Sequence, residues 1–175
     1  MKLTLTRSEM LQLWRRIRAV EPMRLDCTVE RTDGVDLDAL LINEMRTWYL
    51  HLLHTAPPSM LCPMDMTVQA RVSTNGGLAT VTLPTDGGVV RVLAVKFSQW
   101  PVAVAPDGTA EQVARLAANP YCSERHGAAM AADGAVVVSA PQGTLSELLC
   151  VVDHGEDVYQ FDDSALAEIC NYNGE

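Results

Sequence analysis

The sequence predicts an α+β fold: two N-terminal helices, the second central, packed on a largely antiparallel β-region with a short inserted helix and a C-terminal helix. Three observations point to it. Residues 33–54 carry apolar side chains at helical spacing over most of a helix circumference. Beyond residue 66, short alternating runs are separated by glycine-containing turn sequences. The capping-box spacing of a Thr followed three residues later by Glu or Gln occurs at Thr6/Glu9 and again at Thr109/Gln112, each ahead of an apolar-periodic run.

Taken in order, the first element is a helix from Ser8 to Val20. Met10, Leu13, Trp14, Ile17 and Val20 form its apolar face, with Arg15, Arg16 and Arg18 largely off it. After Pro22, residues 25–32 read equally as a short strand or a loop. The core helix follows, with Leu37, Leu41, Met45, Trp48 and Leu52 on one face. Leu40, Ile42, Tyr49, Leu50 and Leu53 widen that face. Asp33 is placed to cap it, Asp36 and Asp38 suit the positive end of its dipole, and Pro57-Pro58 ends it. Residues 55–66, rich in Pro and Met, make an irregular crossing.

Strands are expected at Thr67–Ser73 and Leu78–Leu83, joined at Asn75-Gly76-Gly77, and at Val89–Phe97 after a turn at Pro84–Gly88. Both faces of the 89–97 run are mostly apolar, as in a central strand. Gln99-Trp100-Pro101 interrupts it before Val102–Val104, and the three strands suggest a meander packed on the core helix. A short helix spans Ala110–Ala118 and stops at Asn119-Pro120. Asp133-Gly134 predicts a two-residue hairpin turn between 127–132 and 135–140. Leu148–Val152 and Val158–Phe161 bracket a turn at His154-Gly155. A last helix begins at Asp162 or Asp163 and ends near Tyr172. With 175 residues and no linker or repeat, one domain is expected, residues 1–58 forming a helical part and 59–175 a mainly β part.

Composition narrows the function. A net charge of −9 disfavours broad nucleic-acid binding, because phosphates would be repelled. Aromatics make up 5% of the chain and do not interleave with basic residues, so stacking platforms for single strands are not expected either. Residues 1–24 nonetheless carry six basic groups against Glu9 and Glu21, a local +4 that leaves −13 on the remainder. That split suits either a solvated helix face or a basic element, Arg15, Arg16 and Arg18 foremost, docked on the acidic body of its own chain or of a neighbouring copy. Five cysteines, odd in number and without a CxxC, fit buried thiols in a reducing compartment. No secretory leader and no membrane span are expected, which places the protein in the cytoplasm.

Few residues invite chemistry. Cys122 and His126, in Tyr-Cys-Ser-Glu-Arg-His, suit a nucleophile and its base, with His154 as another candidate base and Arg125 as a charge able to lower the thiol pKa. His51, His54 and Cys62 are zinc-type ligands, but a fourth at a recognised spacing is missing, so neither metal nor cofactor is expected. No phosphate loop, GxGxxG, HExxH or GxSxG occurs. A noncatalytic assembly protein is the first reading. An intracellular cysteine-dependent enzyme, or a small-ligand domain with a pocket between core helix and sheet, are the alternatives.

Leu83-Pro84-Thr85-Asp86, followed by Val90-Arg91-Val92-Leu93-Ala94-Val95 and Trp100, resembles a pattern in head-to-tail adaptor and ring proteins of tailed phages. Asn119-Pro120-Tyr121 ahead of a hairpin is similar too, and the likeness spans residues 36–140. It implies a virion or prophage neck component that assembles into a ring, without catalytic residues, in which the arginine-bearing helix makes an intersubunit contact.

Overall fold

The structure, a computed structural model, describes residues 1–18, 36–84, 87–119, 126–139 and 141–172. The expected fold class is observed: among the described residues four helices combine with three mainly antiparallel sheets. The chain divides into two compact units, Met1–Cys62 with Asp153–Glu175, and Pro63–Val152. The helical part therefore extends past residue 58 and recovers the C-terminal segment, a return that local periodicity does not encode.

What recovers it is a strand that the sequence pattern missed. β1 (Lys2–Thr6) pairs antiparallel with β9 (Val158–Asp162), setting Leu3 opposite Phe161 and Leu5 opposite Tyr159. α1 (Arg7–Arg18) follows directly, and its capping box forms as expected: the Thr6 amide donates to Glu9 Oε2 at 2.8 Å and the Glu9 amide to Thr6 Oγ1 at 3.4 Å. α2 (Leu37–Thr55) is capped by Asp36, whose carboxylate accepts from the Ala39 amide at 3.2 Å. The expected cap, Asp33, lies outside the described residues. Asp36 wins because its carboxylate lies three residues ahead of a helical amide that has no intrahelical acceptor.

Leu41, Met45, Trp48, Tyr49, Leu52 and Leu53 of α2 are buried, as their spacing predicts, whereas Leu40 is 55% exposed. An aromatic network fills the interior of this unit. Trp48 lies 5.5 Å from Trp14 and edge-on to Phe161 at 5.6 Å, and Tyr49 meets Tyr159 at 4.9 Å. After Ala56 a 3-10 turn spans Pro58–Met60. At the other end Asp162 caps a 3-10 turn (Asp163–Ala165) that runs into α4 (Leu166–Asn171).

The second unit has two sheets. One has the order β3 (Arg71–Asn75), β4 (Leu78–Thr82), β7 (Val136–Ser139), β6 (Ala128–Met130); the other has β2 (Met64–Asp65), β8 (Leu145–Val152), β5 (Val89–Phe97). Val81, Val136 and Val138 from the first share a core with Val92, Val95, Phe97, Leu148 and Cys150 from the second, together with Trp100. The expected meander is not formed. β5 leaves β4 and pairs with β8, which runs nearly its whole length, while β4 pairs with β7. The connection through Pro84 is too long for a tight hairpin, and β5, apolar on both faces, is satisfied by a partner that brings Leu148, Cys150 and Val151.

Two strand boundaries also differ from expectation. Residues 67–70 form a turn, with the Gln69 and Ala70 amides both donating to the Met66 carbonyl, so β3 starts at Arg71 and Val68 is 98% exposed. The β6–β7 loop has three residues rather than two. The Ala131 amide donates to the Ala135 carbonyl, and Gly134 supplies the left-handed position at φ 82°. α3 (Ala110–Ala118) has the expected span and capping box, with the Thr109 amide donating to Gln112 Oε1 at 2.9 Å.

Candidate functional site

The residues nominated for chemistry do not form a catalytic constellation among those described. Cys122 and Arg125 lie outside the described residues. His126 is half-buried and stacks on Trp100, with ring centroids 4.5 Å apart and planes 17° from parallel. Its Nδ1 is buried without a hydrogen-bond partner among the described residues, and burial lowers its pKa. That environment suits a neutral packing imidazole better than a base that must hold a proton.

His154 is exposed, its Nε2 3.1 Å from Gln160 Oε1. Burial raises the thiol pKa of Cys62 and pushes that of Cys150 up to about 11, so both are protonated at neutral pH and poorly nucleophilic. No group of three or more His, Cys, Asp or Glu side chains able to hold a metal ion occurs among the described residues, His51, His54 and Cys62 included.

The basic helix is partly engaged within its own chain. Arg15 pairs with Asp38 of α2, and Arg18 pairs with Glu44 at 2.8 Å while donating to the Tyr172 carbonyl and lying over the Trp14 ring. Both pairs join α1 to α2 within the one chain. Arg16 is exposed.

A stronger electrostatic contact was not legible beforehand. Arg46 grips both oxygens of Asp153, with Nη1 2.9 Å from Oδ1, and donates to the Gly155 carbonyl at 2.8 Å. Its guanidinium sits over the Tyr49 ring, and the bond to Asp153 raises its pKa. Tyr49 Oη receives the Gln160 amide at 3.0 Å, and burial pushes its pKa up to about 12. The cluster ties α2 to the segment leading into β9. These bonds are all made within the fold, so the cluster is read as structural.

Two surface features stand out. A cleft of about 460 Å³ between the C-terminal half of α2 and α4 is lined by Trp48, His51, Leu52, Thr55, Glu168 and Tyr172, with His51 and Glu168 exposed. The other is the outer edge of β3. All five of its residues are exposed, among the described residues it pairs only with β4, and Val72 is 41% exposed although it stands opposite the buried Val81. The far edge of the same sheet is covered: Asp107 and Gly108 bridge to Ala129 of β6, and the Gly108 amide donates to the Ala128 carbonyl at 3.1 Å. A Cβ on Gly108 would meet that carbonyl oxygen at 2.9 Å, so the cover depends on glycine.

No family model, curated protein or solved structure matches this chain, so its function has to be read from its own surfaces. Among the described residues no helix is long and apolar enough to cross a membrane.

Proposed function

We propose that this chain is a noncatalytic assembly protein, joining copies of itself or a larger particle through protein surfaces. A phage or prophage neck component is the specific form that its resemblance implies. It would work in the cytoplasm during assembly or on the virion. The observation that carries the reading is the open edge of β3. Unpaired strand edges template further pairing, and proteins that must stay monomeric blunt them with lysine, proline, a bulge or a covering loop. β3 carries one charged residue, Arg71 at its first position, but no proline and no bulge, its register with β4 being unbroken, and nothing among the described residues covers it.

The cleft beside α4 favours a second reading, a small-ligand domain, because it combines an aromatic floor at Trp48 with polar groups at its rim.

Light scattering over a wide concentration range, with electron-microscope images of the same samples, tests the first reading. A mass above the 19.0 kDa of one chain is expected. A single-chain mass at every concentration would overturn it. So would a Cys122 that reacts many-fold faster with a neutral thiol reagent than the exposed Cys170, since that is the behaviour of an activated nucleophile.

A further inference from the structure

The β3–β4 hairpin closes on Gly76-Gly77, at φ 58° and 85°, with Asn75 directly opposite Leu78. In such a two-residue hairpin the flanking pair exchanges both backbone bonds, and bonded and non-bonded pairs alternate from there. Asn75, Ser73 and Arg71 therefore direct their N–H and C=O groups to β4, opposite Leu78, Thr80 and Thr82. Val72 and Thr74 direct theirs outward, to the exposed edge. Nothing among the described residues pairs with them.

That edge is self-complementary. Two antiparallel copies of Arg71-Val-Ser-Thr-Asn75, centred on Ser73, bring Val72 of each opposite Thr74 of the other, and each such pair can exchange both N–H···O bonds. Arg71 falls opposite Asn75, so no like charges meet. Val72 and Thr74 share the sheet face of the buried Val81 and Ala79, so each copy extends the apolar face of the other and shields the exposed Val72. Because Asp107 and Gly108 cover the β6 edge, this sheet offers one open edge among the described residues, which favours a closed two-fold pairing over an open chain of sheets.

We infer that the partner at this edge is a second copy of the chain, joined antiparallel through β3 so that two four-stranded sheets become one of eight. The inference rests on the assembly reading above and specifies its first contact. The pairing is main-chain and apolar, so it persists at high salt.

Two variants test it by sedimentation at matched concentrations. Thr74→Pro removes an outward N–H and leaves every bond to β4 intact, a position at which an edge strand tolerates proline. It is expected to sediment as a single chain, with the circular dichroism of the parent, where the parent is a dimer. Ser73→Cys sets two thiols at the two-fold, with Cα atoms about 4.5 Å apart in a non-bonded pair, inside the range that a disulfide spans. Mild oxidation should convert it to a covalent dimer, while the parent, with its exposed Cys170, does not cross-link.

A Thr74→Pro protein that folds and keeps the parent's mass overturns the inference and leaves the assembly reading standing on another surface. Failure of Ser73→Cys to cross-link overturns it even if the proline variant misfolds. A parent that is a single chain throughout overturns both.

Discussion

Replacing Arg46 by Ala removes the residue on which the first unit's polar interior converges. The pair with Asp153 is about one-fifth exposed on each side, at 19% and 19%, below the level at which solvent screening dominates. Hydrogen bonds to charged groups contribute about 1.5–3 kcal/mol each when buried. With water able to reach one side of Asp153, about 2 kcal/mol is assigned to the two-pronged grip as a whole. The Gly155 carbonyl loses its donor at about 1 kcal/mol more. Arg46→Ala should therefore destabilise this unit by about 3 kcal/mol, or roughly 10–20 °C in its midpoint. Arg46→Lys, which keeps the charge and one donor but not the fork, should cost about half as much.

The assay is urea unfolding followed by tryptophan fluorescence in a Trp100→Phe background, where Trp14 and Trp48 report the first unit. A double-mutant cycle with Arg46→Met and Asp153→Asn separates the pair from packing, and a coupling of about 1.5 kcal/mol is expected. Strictly additive single changes, or an Arg46→Lys protein as stable as the parent, would refute the view that the bidentate geometry holds α2 to the segment before β9.

Three further outcomes follow from particular contacts. Trp48→Ala opens a cavity between Trp14 and Phe161 and should cost about 3–5 kcal/mol by the same assay, against under 1 kcal/mol for Leu40→Ala on the exposed side of α2. Thr109→Ala deletes one arm of the capping box of α3 and should cost about 1 kcal/mol, with amide exchange accelerating first in residues 110–113. Burial lowers the pKa of His126 below its ordinary 6.5, so the unfolded chain binds the proton more readily. The second unit should keep its full stability above about pH 6.5, lose stability as the pH falls below it, and level off once the folded imidazole also titrates. Trp100 fluorescence reads this loss, and an unaltered pH profile in His126→Phe would show that another group is responsible.

What the sequence made legible was whatever is settled within a few residues. The Thr6/Glu9 and Thr109/Gln112 boxes, the Asn75-Gly76-Gly77 turn and the core stripe of α2 depend on neighbours along the chain, and each forms. What stayed hidden is set by partners far away. Lys2–Thr6 alternates too briefly to be read as a strand until Val158–Asp162 is placed beside it, and nothing local distinguishes a β5 that pairs with β4 from one that pairs with β8. Arg46 looks like any charged residue inside an apolar helix, and only the return of Asp153 gives it a function in the fold.

The same division applies to the candidate site. Alternation within residues 67–73 suggested a strand from Thr67, but a turn anchored on Met66 costs the strand its first residues and leaves Val68 exposed. The exposure of β3 is likewise a property of what fails to cover it, and apolar alternation cannot report that. Val72 has the same pattern as a core valine. Its position at the end of the strand order, with the opposite edge already covered, turns it from part of an interior into part of a surface that a second β3 would complete.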